Sequence, residues 1–157
     1  MSIVTFWNND SSHIGQTSSV LAIATLMAIE HNYRILIIST RIDDIECERA
    51  FGITESIATK VLGMKESKFD SGIQGLMRLA YSNKLTPEMI GDYTKIVFKR
   101  LEVVGGKRSS EMDANDKFDV NLYPDIIKNA SKFYDMVFVD LDTRTRSRIS
   151  KKHITNH

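Results

Sequence analysis

Gly15, Gln16 and Thr17 close a polar loop that separates a short apolar segment from a long one, and Asp140 closes another apolar segment far along the chain. These residue types suit phosphate and metal chemistry. A glycine lets a strand turn sharply into a helix. The N–H groups at a helix start, with the helix dipole behind them, hold anionic oxygens. The common phosphate-loop pattern is G-x-x-x-x-G-K-[ST]. Counted back from Gly15, Asp10 falls at the first glycine and Gln16 at the lysine, so only Gly15 and Thr17 match. The candidate phosphate contacts are Ser12, His13, Gly15, Gln16, Thr17 and Ser18. Each has a plainer reading. Gly15 relieves a tight turn, Thr17 caps a helix, Asp140 marks the surface end of a strand, and His13 is a solvated loop side chain. Trp7 reads as a core or helix-packing residue. No His/Cys/Asp/Glu cluster has metal-site spacing, and there is no G-x-S-x-G elbow.

The elements that must position these residues are legible from apolar patterning. Ile3 to Trp7 reads as a strand. Thr17 to Glu30 reads as a helix that is apolar nearly all round, hence buried on more than one side, with Asn32 closing it in a left-handed conformation. Arg34 to Ser39 is an unbroken apolar run, the pattern of a strand covered on both faces. Strand, helix and strand in this order predict a right-handed βαβ unit. Residues 41 to 98 look mainly helical. Ile73, Leu76, Met77 and Ala80 form one stripe, and Thr86-Pro87-Glu88 starts a helix expected to reach about Phe98. Leu101 to Val104 is a strand ended by Gly105 and Gly106. Pro124 to Phe133 is a short helix, and Met136 to Asp140 is a last strand. The expected fold is α/β: a parallel sheet of about four strands with helices on both faces.

Composition bounds the function. At 157 residues the chain has room for one domain with a real core. Hydrophobic residues at 42% and charged residues at 26% fit a globular protein rather than a disordered one. A net charge of +1 gives no global attraction for nucleic acid or an anionic membrane. The lone Cys47 rules out an internal disulfide and fits a reducing, cytoplasmic compartment. The run from Val20 to Ile29 is too short for a bilayer span, and no basic stretch precedes an apolar core at the N-terminus. Residues 1–142 are expected to form the domain and 143–157 a frayed basic tail. Arg144, Arg146, Arg148, Lys151 and Lys152 make that tail a candidate nucleic-acid contact, or simply a solvated end.

Four segments carry a further likeness. Val4-Thr5-Phe6-Trp7 leads into Gly15-Gln16-Thr17-Ser18 and the long helix; Tyr33 to Ile38 forms the apolar second strand; Arg100 to Gly106 forms a strand with its following glycines; Tyr134-Asp135-Met136-Val137-Phe138-Val139-Asp140 forms an acidic strand. In this order, over about residues 3 to 142, the chain resembles the ParA/MinD family of P-loop ATPases. The resemblance implies a three-layer P-loop fold, ATP and Mg²⁺ as ligands, and a role in positioning cellular machinery. It also implies that Gly15 and Thr17 are phosphate-loop residues, and that Thr17 and Asp140 are the metal ligands, Thr17 through its hydroxyl and Asp140 through the metal's water shell. The departures matter as much. The family's early signature lysine falls at about Ser11, its phosphate-binding lysine at Gln16, and the acids after its second strand at Ser39 and Arg41. Losing one such transition-state contact costs about 10² to 10³ in rate. The expectation is therefore a scaffold of that type with weak or absent ATP hydrolysis. An active ATPase and a nucleic-acid adaptor acting through the tail are the alternatives. Family members continue well past the acidic strand, whereas this chain ends about 15 residues after Asp142. An open apolar sheet edge is expected, and with it self-association or a protein partner.

Overall fold

The computed structural model describes residues 2–8, 15–40, 47, 50–51, 72–106 and 119–142. The expected roles of Ser11, Ser12, His13 and the basic tail lie outside these residues.

Five strands form one sheet: β1 (Ser2–Phe6), β2 (Ile35–Ser39), β3 (Thr94–Phe98), β4 (Leu101–Val104) and β5 (Met136–Asp140), in the order β1-β5-β2-β4-β3. The unbroken apolar runs take the middle. Ile35 to Ile38 and Val137 to Asp140 are buried at every position, because both faces of these strands are covered. β1 pairs with β5, β5 with β2 and β2 with β4, all parallel. β3 runs antiparallel to β4 at one edge.

Among the described residues, three helices lie on the faces. α1 (Gln16–Glu30) lays Val20, Ala24 and Ala28 against Ile35, Ile37, Leu101, Val103 and Phe138. On the other face α2 (Ile73–Tyr81) and α3 (Tyr123–Phe133) bring Leu76, Met77, Ile126 and Ala130 onto Leu36, Ile38, Val137 and Val139. Each fully buried Leu, Ile or Val contributes about 1.5–3 kcal/mol relative to exposure. No helix among the described residues is long and apolar enough to cross a membrane.

The structure differs from the sequence reading in several places. The segment starting at Thr86-Pro87 makes only a 3₁₀ turn, Glu88–Tyr93, and then becomes β3. β-branched and aromatic side chains from Thr94 to Phe98 prefer the pleated edge beside β4. The sheet therefore has five strands rather than four, one of them antiparallel. α1 is buried along one side only, and Ile23, Leu26 and Ile29 are exposed. Its cap residue is His31 in extended conformation, and Asn32 is not left-handed. Trp7 is 50% exposed rather than in the core.

At the amino ends of the strands a polar group is buried on the α2/α3 side. Glu102, 5% exposed, accepts from Arg34 Nε and Nη2 at 3.1 Å, from Thr94 Oγ1 at 2.6 Å and from Tyr134 Oη at 2.5 Å. The Arg34 guanidinium also lies 4.1 Å from the Phe133 ring centre. Burial, reinforced by the neighbouring Glu102 carboxylate, holds the Tyr134 hydroxyl protonated well above the usual tyrosine range. This cluster joins β2, β3, β4 and the end of α3 and fixes the strands that carry the opposite, carboxyl edge of the sheet.

Candidate phosphate and metal site

β1, β5 and β2 end side by side, and their carboxyl ends are stitched together. Leu141 N donates to Phe6 O at 2.9 Å, and Thr40 N donates to Asp140 O at 2.9 Å. Thr40 Oγ1 donates to Asp140 O at 3.3 Å and accepts from Asp142 N at 2.9 Å. Open α/β sheets bind ligands beyond this edge. α1 starts there. Gly15 precedes it with φ +83°, a left-handed conformation that disfavours any side chain, although a Cβ at Gly15 would meet no atom within 4 Å. The backbone angle, not crowding, calls for glycine. The helical ladder begins with Ser19 N donating to Gly15 O at 2.9 Å. The N–H groups of Gln16, Thr17 and Ser18 therefore stand outside it, at the positive end of the helix.

Asp140 is fully buried beneath this helix start. Thr17 Oγ1 donates to Asp140 Oδ2 at 2.7 Å. The Gln16 amide donates to Asp140 Oδ1, to Leu141 O at 3.0 Å and to Phe6 O at 3.3 Å. Three acceptors around Nε2 decide which end of the amide points inward. Gln16 Oε1 is left buried with no hydrogen-bond partner. Burying such an oxygen unpaired costs about 1–3 kcal/mol, which a bound water or cation would offset.

The structure thus brings Gln16, Thr17 and Asp140 into direct contact. Gly15 and Ser18 lie at the exposed mouth of the same helix start. Two of the plainer readings do not hold here. Thr17 does not cap α1, because its hydroxyl goes to Asp140, and Asp140 is not a surface residue. Sequence reasoning missed Thr40, which is fully buried and ties β2 to β5. Its signal was a polar residue directly after the apolar run of β2. It also missed the inward turn of Gln16, which no spacing rule contains. The site is suited to a hard cation: a carboxylate, a hydroxyl with lone pairs to spare and an amide oxygen are all oxygen donors. Two acids, Asp140 and Asp142, belong to the site, Asp140 through its carboxylate and Asp142 through its N–H to Thr40.

The sheet order, the glycine turn into α1 and the acid ending the adjacent parallel strand give the chain the fold of ParA- and MinD-type P-loop proteins. Solved structures agree. The chain superposes on a ParA family ATPase from Chlorobium tepidum with a TM-score of 0.66 at 12% identity, over 96% of this chain and 56% of that one. MinD from Pyrococcus horikoshii, a septum site-determining protein complexed with Mg-ADP, gives 0.62 at 16% identity over 96% and 54%. A plasmid partition protein from Borrelia burgdorferi gives 0.56 at 16% identity over 94% and 59%. The chain spans little more than half the length of these neighbours. No protein-family model matches the sequence, and no curated protein does.

Proposed function

We propose that this chain is a ParA/MinD-like module that binds a magnesium–nucleotide weakly, with little or no hydrolysis, and serves as a localisation or assembly scaffold. The observation that carries this is Gln16. The side chain at the lysine position is neutral, and its amide is held inward on Asp140, Leu141 O and Phe6 O. A lysine ammonium there would offset the charge that builds on the β- and γ-phosphates. Gln16 offers no charge. The N–H groups at the start of α1 remain available to phosphate oxygens, and Thr17 with Asp140 would hold Mg²⁺. A bound Mg²⁺ would offset the charge of both Asp140 and the phosphates. Nucleotide binding should therefore depend strictly on a divalent cation. The scaffold part of the reading is supported by neighbours described as partition and septum site-determining proteins.

Thermal unfolding of the chain with Mg-ATP, Mg-ADP, ATP plus chelator, or Mg²⁺ alone tests the reading. A ligand at about 100 times its dissociation constant stabilises the folded state by roughly 2.7 kcal/mol, a shift of several degrees at this size. The expected result is a shift with Mg-nucleotide, none with chelator, and phosphate release at background. No shift under any condition would remove the nucleotide reading, and rapid hydrolysis would remove the scaffold reading.

A further inference from the structure

The hydrogen bonds at the carboxyl edge of the sheet form one continuous path from β2 to the start of α1. It begins at Thr40, which is fully buried directly after β2. A threonine hydroxyl has one proton to donate and lone pairs to accept with. Here it donates to Asp140 O at 3.3 Å and accepts from Asp142 N at 2.9 Å. The Asp142 N–H and the Leu141 C=O belong to one peptide unit. In a trans peptide these two groups share a plane and point in opposite directions. The N–H end of this plane rests on Thr40 Oγ1, and the C=O end accepts from Gln16 Nε2 at 3.0 Å. A single rigid unit thus joins the Thr40 hydroxyl to the Gln16 amide.

We propose that Thr40 is a positioning residue of the phosphate and metal site. Through the Leu141–Asp142 peptide plane it aims Leu141 O at Gln16, and so keeps the Gln16 side chain turned inward onto Asp140. Thr40 is itself well fixed. Its N–H donates to Asp140 O at 2.9 Å, which sets its backbone against β5, and its branched Cβ restricts χ1. The Gln16 amide has two protons for three acceptors, Asp140 Oδ1, Leu141 O and Phe6 O. Phe6 O is the more distant of the two carbonyls, at 3.3 Å, and already accepts from Leu141 N. Leu141 O is therefore the carbonyl that holds Gln16 best, and turning its peptide plane weakens that hold. Removing the Thr40 hydroxyl takes away the contact that sets the plane. The proposed function rests on Gln16 being held inward, and Thr40 deepens that reading by supplying what holds it.

The test is hydrogen exchange of the Gln16 side-chain amide, read by nuclear magnetic resonance on the full chain without nucleotide or metal. Its outcome is thereby separate from that of the nucleotide titrations. Gln16→Glu assigns the signal by removing it. Thr40→Val keeps the branched shape without the hydroxyl, Thr40→Ala removes both, and Thr40→Ser keeps the hydroxyl. The backbone amides of Ala24 and Ala28, buried within α1, serve as internal standards, and thermal melts confirm that each variant folds. The parent is expected to protect the Gln16 amide from exchange. Thr40→Val and Thr40→Ala should each raise its exchange about tenfold relative to the two standards, the effect of losing one hydrogen bond. Thr40→Ser should restore the parent's protection. A Gln16 amide that exchanges freely in the parent overturns the proposal, and that result needs no variant. So does exchange unchanged without the hydroxyl, or raised equally at Gln16, Ala24 and Ala28, or raised as much by Thr40→Ser as by Thr40→Val.

Discussion

Gln16 decides what the site is able to do, and single substitutions there separate its two roles. Gln16→Lys returns a cation to the helix start. It is expected to tighten Mg-nucleotide binding by about tenfold, read as a larger thermal shift at fixed ligand concentration. Asp140→Ala does the opposite. It strips the carboxylate from two buried donors, Gln16 Nε2 and Thr17 Oγ1. A loss of about 1–3 kcal/mol in denaturant unfolding is expected, together with loss of any Mg²⁺-dependent shift. Gly15→Ala meets no steric obstacle, so its cost is that of the left-handed backbone alone, about 1–2 kcal/mol. A much larger loss would mean that the loop is more crowded than the helix start indicates.

Among the elements, the group around Glu102 holds the amino ends of β2, β3 and β4 together, and it makes stability depend on alkaline pH. The Tyr134 hydroxyl ionises well above its ordinary value of about 10, chiefly because it is buried. Above pH 10 the unfolded chain gives up this proton while the folded chain keeps it. Stability is therefore complete below about pH 10 and falls as pH rises beyond it. Tyr134→Phe removes this contribution to the slope, which urea titrations at a series of alkaline pH values would measure. Gly72 is a second constraint at this scale. It sits at φ +73°, and a Cβ there would lie 2.2 Å from Gly105 O, the carbonyl that accepts from Ile73 N. Gly72→Ala is expected to destabilise the chain by more than Gly15→Ala, because steric overlap adds to the backbone cost.

For the whole molecule, the notable feature is apolar surface without a described cover. α1 is apolar around its circumference, and among the described residues it packs chiefly over β5, β2 and β4. Leu26 and Ile29 are 52% and 55% exposed. Leu26→Lys and Ile29→Lys should change thermal stability by no more than about 0.5 kcal/mol, while raising the concentration at which the protein precipitates. A large loss of stability would show that another part of the protein packs on this face.

The sequence by itself determined the strands and helices whose patterning is one-sided or unbroken. Ile35 to Ile38 and Met136 to Asp140 could only be covered strands, and Gly15 before a long apolar run marked a sharp turn into a helix. Local pattern was sufficient there because burial on both faces leaves one reading of a short apolar run. Tertiary structure decided the rest. Thr94 to Phe98 follows a sound helix start, yet it becomes a strand because β4 lies beside it to pair with. α1 looked buried all round because its composition does not say which side has a sheet to cover it. Gln16 was legible as a missing lysine. Its inward turn onto Asp140, Leu141 O and Phe6 O depends on three strand ends that only the parallel sheet brings within reach of one side chain.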